Sequence, residues 1–148
     1  MTDRHPTADR PPLVIRRHAG STSDDPDTLV GLAADGMTVA GNTDHGILIS
    51  QSSDGTLVGG SASGARNIIS GNSGDGIYVD GTTDGTYTTA VTGTVILGNF
   101  IGTDITGDTQ AGNDIQGTGI TIHESFGNTI GGTGAGEANV LSGNRLRG

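Results

Sequence analysis

Short hydrophobic segments closed by glycine or asparagine recur along the chain from about residue 29 onward. Each is rich in β-branched side chains and is bounded by Gly, Asn, Ser or Asp, which is typical of short strands between tight turns. Alternate hydrophobic residues share one strand face, as in the pairs Ile47 and Ile49, Ile77 and Val79, and Ile120 and Ile122. No stretch keeps a helical period, so the pattern predicts an all-β protein without a long helix.

One long unit occurs nearly twice in the sequence. Residues 59–72, GGSASGARNIISGN, correspond to residues 131–144, GGTGAGEANVLSGN, at an offset of 72 (131 minus 59). Upstream, GILISQS at 46–52 matches GITIHES at 119–125 at an offset of 73 (119 minus 46). The change in offset places single-residue insertions in the turns, and the repeat itself is typical of a solenoid.

Three strands per coil fit this repeat. The three predicted coils comprise GILI, TLVGG and NIISGN; then GIYV, TVILGN and FIG; then GITI, NTIGG and NVLSGN. The first coil is short, from 46 to 75, the second is lengthened by loops, from 76 to 118, and 29–42 forms the last side of an incomplete coil. We expect asparagines at repeated corners to hydrogen-bond to the backbone and to the next asparagine in the stack.

Composition supports this architecture and sets the domain boundaries. The 148 residues include 28 glycines and no cysteine or tryptophan, and 31% are hydrophobic, so an ordinary aromatic-packed core is excluded. Many glycines fall at predicted corners, where positive φ is needed. We therefore predict an irregular or partly disordered segment at 1–28 and β-helix repeats at 29–148.

The charge distribution excludes two classes of partner. The net charge is −9, and Arg66 is the only Lys or Arg between residues 18 and 144. This stretch would repel phosphate backbones, so we expect no nucleic-acid binding. No apolar run reaches the ~20 residues of a membrane-spanning helix, and residues 1–12 are too polar for a secretory signal.

The repeat motifs resemble those of a known family. NTIGG with NVLSGN, NIISGN with GIYV, and GNFIGTDITGDTQAGN are similar to the right-handed parallel β-helix repeats of large bacterial extracellular proteins, in the pectate-lyase-like superfamily. The resemblance implies a right-handed parallel β-helix and an extracellular or cell-surface location, but no activity, because this fold hosts many functions. Since the pattern requires another Gly-Ile strand after residue 144, we expect a fragment of a longer secreted protein.

Candidate catalytic carboxylates are few. The segment Asn42-Thr43-Asp44-His45-Gly46 resembles the NTDG element of polygalacturonases, but the Asp-Asp, Gly-His-Gly and Arg-x-Lys elements of that family are absent. The equivalent loop of the second repeat begins at Asn113, so a turn is the simpler interpretation of position 42. Catalysis at Asp44 is therefore the minor hypothesis.

Calcium binding is the one cofactor hypothesis that the sequence raises. Asp75 and Asp80 flank the GIYV strand, and on an extended strand we expect both near one rim. Pectate lyases combine such calcium ligands with an arginine base, and Arg66, whose repeat equivalent is Ala138, is the only arginine within the repeats before residue 145. Calcium requires six to eight oxygen ligands, so two carboxylates are too few and a solvated turn is favoured. His5 and His18 lie in the N-terminal segment, and His45 and His123 are predicted in turns without a second ligand at metal spacing.

These observations predict a non-catalytic structural or adhesive segment, with no assigned catalytic, cofactor or metal residue. Its expected partners are further β-helix repeats of the same parent chain, a polysaccharide, or other surface proteins. The alternative is a carbohydrate-binding or polysaccharide-degrading module that uses the loop at 80–93 or the acidic rim. A phage or adhesin stalk is a third class, recognisable by trimerisation.

Overall fold

A computed structural model of the protein describes residues 27–50, 53–62, 64–83, 90–107 and 117–148, together with the backbone of Val14–Ile15. This part of the chain contains strands and turns, without any helix that could cross a membrane. The strands are β1 (Val14–Ile15), β2 (Thr28–Val30), β3 (Ile47–Ser50), β4 (Leu57–Gly59), β5 (Asn67–Ile69), β6 (Ile77–Asp80), β7 (Val95–Leu97), β8 (Phe100–Ile101), β9 (Ile120–His123), β10 (Thr129–Ile130) and β11 (Val140–Leu141).

The strands form three parallel sheets. Sheet I has the order β3-β6-β9, sheet II the order β1-β4-β7-β10, and sheet III the order β2-β5-β8-β11. Every pairing within these sheets is parallel, and the chain visits sheets I, II and III in turn. The fold is therefore a parallel β-helix of about three coils with three short strands each, as the repeat predicts.

The strand register confirms the predicted lengths of the coils. Ile47 pairs with Ile77, an advance of 30 residues (77 minus 47), and Ile77 pairs with Ile120, an advance of 43 (120 minus 77). The first coil is thus the short one and the second carries the additional loop residues. Thr28–Val30 pairs with β5 and forms the predicted last side of an incomplete coil.

The core consists of inward-facing aliphatic residues that stack from coil to coil. Its main columns are Ile49, Val79 and Ile122 in sheet I; Val58, Ile96 and Ile130 in sheet II; and Ile69, Ile101 and Leu141 in sheet III. The residues of the first two coils in these columns are at most 1% exposed. In the third coil, Ile122 is 40% exposed and Ile130 is 44% exposed, so that coil leaves its apolar interior open on one side.

A stack of asparagines joins the coils at the corner between sheets II and III. The Oδ1 atom of Asn99 accepts hydrogen bonds from the backbone N–H and the Nδ2 of Asn67, at 3.2 and 2.9 Å. The Oδ1 atom of Asn139 accepts the same pair from Asn99, at 2.9 and 3.1 Å. Nδ2 of Asn99 also donates to the carbonyl oxygens of Val58 and Leu97. The predicted asparagine stack is confirmed, and it satisfies backbone groups that water cannot reach.

Glycine is required where the chain leaves sheet II. Gly59 has a φ of +84°, a conformation that other residues adopt only with strain. A Cβ atom there would also collide with the carbonyl oxygen of Leu97 and the side chain of Asn99. The glycine and the asparagine of the next coil therefore depend on each other.

The corner after sheet III accommodates excursions of different length. After β5 the chain turns directly through Ser70-Gly71-Asn72, whereas after β2 it first makes an excursion from Gly31 to Ala40. This excursion is closed by a hydrogen bond from Ala40 N to Gly31 O, at 2.9 Å. Asn42 then forms a second asparagine pair at this corner, donating from its N and Nδ2 atoms to Oδ1 of Asn72. The core register is the same with and without the excursion.

One strand lies inside the segment predicted to be irregular. The backbone of Val14–Ile15 pairs in parallel with Leu57 and Val58 of β4. Its sequence, LVI at 13–15, is the one short hydrophobic run of residues 1–28 before β2, but it has no flanking glycine or asparagine and so does not match the repeat motif. The remainder of residues 1–26 lies outside the described part of the chain.

Two positions of one core column provide a matched test of the packing. We expect Ile96→Ala to lower the free energy of unfolding by about 2–5 kcal/mol, because Ile96 is fully buried and its removal leaves a cavity. Ile130→Ala should cost about 1 kcal/mol or less, since Ile130 is already 44% exposed. Urea denaturation of both variants measures the difference. Equal losses would contradict the assigned order of the coils.

The asparagine stack is tested by an apolar replacement of similar size. Asn99→Leu should cost about 3 kcal/mol or more, because it removes the Nδ2 donor to the Val58 and Leu97 carbonyl groups and the Oδ1 acceptor for the buried N–H and Nδ2 of Asn67. Asn42→Leu is the control, since Asn42 is exposed and only donates within its pair. We expect the control to retain near wild-type stability in thermal unfolding monitored by circular dichroism. A tolerated Asn99→Leu would refute the structural role of the stack.

Candidate functional site

The outward-facing residues of sheet I form the surface with the most varied chemistry. Because alternate residues of β3, β6 and β9 point inward as aliphatic columns, the intervening residues lie on the outer face. Register pairing arranges them in two rows: Leu48, Tyr78 and Thr121; and Ser50, Asp80 and His123. We call these two rows, together with Asp44, His45 and Asp75 at the edge where the chain enters the sheet, the sheet I face.

A histidine–tyrosine stack lies at that edge. The rings of His45 and Tyr78 are 4.6 Å apart between centroids and 20° from parallel. Nδ1 of His45 accepts a hydrogen bond from the backbone N–H of Asp75, at 3.0 Å. This bond requires an unprotonated Nδ1, so the neutral imidazole carries its proton on Nε2, which lies 3.4 Å from Oδ1 of Asp44. Both ring nitrogens are thus oriented by neighbouring aspartates.

Asp75 is committed to the backbone of the next coil. Its Oδ1 atom accepts a hydrogen bond from Thr118 N, at 2.8 Å, and its side chain is mostly buried. Asp44, by contrast, is 82% exposed. The two candidate carboxylates therefore lie on either side of His45 but in different environments. Asp75 links two neighbouring coils through this hydrogen bond, and Asp44 faces solvent.

Asp80 forms a second small cluster at the opposite end of β6. Its Oδ1 atom accepts hydrogen bonds from the N–H and the hydroxyl of Thr82, at 3.0 and 2.5 Å. Nδ1 of His123 lies 3.5 Å from the same oxygen. The Thr82 hydroxyl, followed by the Thr82 backbone N–H and then His123, holds the pKa of Asp80 below its ordinary value. His123 is the last residue of β9, so its predicted position in a turn is wrong.

Asp75 and Asp80 do not share one rim of the structure. They flank β6 at its two ends, and five residues of extended chain span about 16 Å. The hypothesis of a calcium site built on this pair is not supported by that placement, because the ligands of one ion must lie within about 2.6 Å of it. Within the described residues, no group of three or more His, Cys, Asp or Glu side chains is placed to hold a metal ion.

Arg66 lies at a different corner from these carboxylates. It precedes β5 of sheet III, and its guanidinium carbon is 4.1 Å from the ring centroid of Phe100. Its Nη1 atom is 3.8 Å from Oδ2 of Asp27. Since Asp44 and Asp75 lie where the chain enters sheet I, Arg66 is not placed beside either of these two carboxylates. Arg66 instead contributes a cation–π contact, which stabilises by about 0.5–1 kcal/mol at exposed sites.

Other aspartates also accept hydrogen bonds from turn backbone. Asp35 accepts from the hydroxyl and N–H of Thr38 and from Met37 N, and these bonds lower its pKa to about 2, the Thr38 hydroxyl contributing most. Asp54 accepts from the N–H and hydroxyl of Thr92 on the next coil. Asp104 accepts from the N–H and hydroxyl of Thr106. Hydrogen bonds from threonine to an aspartate carboxylate therefore recur at several turns of the described chain.

Some candidate residues fall outside the described part of the chain. These are His5, His18, Asn113 and the centre of the predicted binding loop at 84–89. The glycine-rich segment at 132–136 is described, and there Glu137 accepts a hydrogen bond from Gly134 N, at 2.7 Å, across a tight turn. That segment is a corner, as predicted from its match to residues 60–64.

Sequence reasoning missed two contacts between aromatic and charged residues. The His45–Tyr78 stack and the Arg66–Phe100 contact each join neighbouring coils at residues that differ between the two repeats. Aligning the coils by strand register, with Ile47 beside Ile77, places His45 beside Asp75 and Tyr78 beside Leu48, so the contact of the two rings does not follow from the register. The strand register could be inferred from the sequence, but the orientation of the His45 and Tyr78 rings could not.

Comparisons with family models, curated proteins and solved structures found no match. The resemblance to bacterial parallel β-helix repeats therefore remains a prediction from the sequence motifs. The fold itself is established by the three parallel sheets.

The Asp80 cluster yields a pH prediction. Because the pKa of Asp80 is lowered on folding from 3.8, its stabilising contribution is present above that value and is lost as the pH falls through the folded-state pKa. Thr82→Val removes the hydroxyl, so we expect the Asp80 pKa to rise toward 3.8 and the loss of stability on acidification to shrink. Carboxyl-carbon NMR titration measures this pKa.

The matched control for this prediction is His123→Gln. Since the His123 interactions lower the Asp80 pKa less than the Thr82 hydrogen bonds do, this variant should move the pKa by the smaller amount. A larger shift in His123→Gln than in Thr82→Val would contradict the assigned cause.

Proposed function

We propose that this chain is a non-catalytic scaffold segment, structural or adhesive, of a secreted or cell-surface bacterial protein. The observation that carries the proposal is that aspartate carboxylates of the described chain serve as hydrogen-bond acceptors for the backbone. Asp35, Asp54, Asp75, Asp80 and Asp104 each accept hydrogen bonds from backbone N–H groups at turns or between coils. Catalytic hydrolysis by inversion would instead require two carboxyl groups about 6.5–9.5 Å apart, one of them protonated.

The packing supports a mechanical role. The stacked aliphatic columns and the asparagine stack join each coil to its neighbours along the whole of the described helix. In such a solenoid, stability grows with the number of interfaces between coils, and the length of the rod is set by the number of coils. The expected partners are therefore further coils of the same kind, with polysaccharides or other surface proteins as ligands of the adhesive form.

A carbohydrate-binding or polysaccharide-degrading module is the second candidate. The observation that favours it is the Tyr78 ring on the sheet I face, stacked on His45, whose Nε2 lies beside the exposed Asp44. An aromatic surface beside a few polar groups is a common arrangement for binding small molecules and sugars. Asp44 and Asp75 would be the catalytic residues of a degrading form.

A glycan screen separates the two candidates. We expect neither cleavage nor Ca²⁺-dependent binding when the protein is incubated with acidic and neutral polysaccharides, with and without Ca²⁺. Product release is measured by reducing-end assay and by absorbance of unsaturated uronates, and binding by affinity electrophoresis. Binding without cleavage, abolished by Tyr78→Ala, would indicate an adhesive module on the sheet I face.

Variants of the two candidate carboxylates complete the test. Asp75→Asn keeps the Oδ1 acceptor that holds Thr118 N, and Asp44→Asn alters only an exposed side chain, so both should fold. Cleavage by the wild type that both variants lose would overturn the scaffold proposal in favour of the enzyme. Cleavage that both variants retain would overturn the scaffold proposal and also exclude these two carboxylates as its catalytic residues.

A further inference from the structure

Within the described residues, the chain has four steps at which an aspartate is followed directly by a glycine. They are Asp35-Gly36, Asp54-Gly55, Asp75-Gly76 and Asp80-Gly81. At such a step the glycine nitrogen is able to attack the side-chain carboxyl carbon of the aspartate, because glycine has no side chain to hinder the approach. The reaction needs no enzyme and no reactant other than water.

The chemistry rearranges the main chain in two balanced steps. A bond forms between the glycine nitrogen and Cγ of the aspartate, the nitrogen loses its proton, and a carboxyl oxygen leaves as water to give a cyclic succinimide. Water then opens the ring at either carbonyl carbon. Opening at the original backbone carbonyl leaves isoaspartate, in which the main chain runs through Cγ and is one methylene longer.

Three of the four glycine nitrogens are tied to the next coil. Their N–H groups donate to backbone carbonyl oxygens at 2.8–2.9 Å, Gly55 to Thr92, Gly76 to Thr118 and Gly81 to His123. Because the nitrogen must lose its proton and move to Cγ, each of these bonds has to break before the ring forms. Breaking them separates neighbouring coils, so these three steps are protected by the stack of coils.

The fourth glycine nitrogen, that of Gly36, has a local partner. It donates to Ala33 O at 2.9 Å, within the excursion that follows β2. The Asp35 carboxylate is likewise held inside this excursion, by Met37 N and by the N–H and hydroxyl of Thr38. This turn can open without breaking a bond between strands, and such surface segments open at lower free energy than the core does.

We propose that Asp35 is a site of spontaneous isoaspartate formation in the folded protein, whereas the steps at Asp54, Asp75 and Asp80 react only after the coils separate. Isoaspartate at position 35 changes the surface of the excursion and leaves the stacked core columns intact. The modification is therefore compatible with a folded chain, and it does not depend on the scaffold function.

The Thr38 hydroxyl restrains the reaction at Asp35. Its hydrogen bond is the main cause that lowers the pKa of Asp35 to about 2, so the closed turn keeps the carboxyl group ionised. An ionised carboxylate is the poorer target for the glycine nitrogen, since a neutral carboxyl group loses an oxygen as water more readily. Removing the Thr38 hydroxyl should therefore raise the reactivity of the Asp35 carboxyl carbon.

Ageing of the purified chain tests the proposal. The protein is incubated at physiological temperature and neutral pH beside a sample unfolded in urea, and isoaspartate is located by electron-transfer mass spectrometry of proteolytic peptides. In the folded sample, isoaspartate should form at Asp35 about tenfold or more faster than at the three steps between coils, whereas the four rates should be similar in urea. Similar rates at all four steps of the folded chain would overturn the proposal. It would also be overturned by an Asp35 that stays unmodified after the urea sample has reacted.

Two matched threonine variants test the source of the protection. Thr38→Val and Thr82→Val each remove a hydroxyl that donates to an aspartate before glycine, Asp35 in the first variant and Asp80 in the second. We expect the rate at Asp35 to rise about threefold or more in the first variant. The rate at Asp80 should stay low in the second, because Gly81 N remains bonded to the next coil. An equal rise at Asp80 would overturn the protection assigned to the bonds between coils.

A destabilised variant distinguishes local opening from unfolding. Ile96→Ala raises the unfolded fraction of the whole chain, so isoaspartate at the three steps between coils should form about tenfold or more faster than in the wild type. The rate at Asp35 should change by less than about twofold, because the excursion opens without unfolding. Circular dichroism confirms that each incubated sample is folded. Equal acceleration at Asp35 would mean that it too reacts only from the unfolded chain, and the proposal would be wrong.

Discussion

The structure depends on satisfying backbone polar groups inside a core that is only a few aliphatic side chains wide. A coil with three corners turns its carbonyl and amide groups toward its neighbours at each corner, and an unpaired buried group costs about 1–3 kcal/mol. Asn99 meets this need by donating to two carbonyl groups and to Asn139 while accepting two bonds from Asn67. The side chain of one coil thus completes the backbone of the next, and no coil is fully paired without its neighbours.

The same requirement explains where the acidic residues lie and why they do not converge. A carboxylate at a turn accepts several N–H and hydroxyl hydrogen bonds, as Asp80 does from Thr82 and Asp54 does from Thr92. At Asp80 these bonds lower the pKa and favour the ionised form, which suits a structural acceptor and opposes the protonated state that a general acid needs. The negative charge of the chain follows in part from this use of aspartate at turns.

The fold could be predicted from the sequence because each coil repeats the same pattern of corner residues and inward-facing aliphatic residues. Glycine at Gly59 and asparagine at Asn67 and Asn139 mark corners, and alternate Ile and Val residues mark the inward face, so coil boundaries followed from spacing alone. The surface chemistry was less predictable, since it depends on residues that differ between repeats. The stack of His45 on Tyr78, the position of His123 at the end of β9, and the short strand at Val14–Ile15 have no counterpart in the repeat motif.

The corner after sheet III has a further consequence for how such a chain can diversify. The excursion between Gly31 and Ala40 is closed by its own backbone hydrogen bonds, from Ala40 N to Gly31 O and from Ala33 N to Thr38 O. Asn42 then donates to Oδ1 of Asn72 at the corner itself. Lengthening a closed loop costs only about 0.6 kcal/mol for each doubling of its length. Insertions at this corner can therefore accumulate with little effect on the rod, so that foreign peptides could be grafted and displayed there while the axial framework stays unchanged.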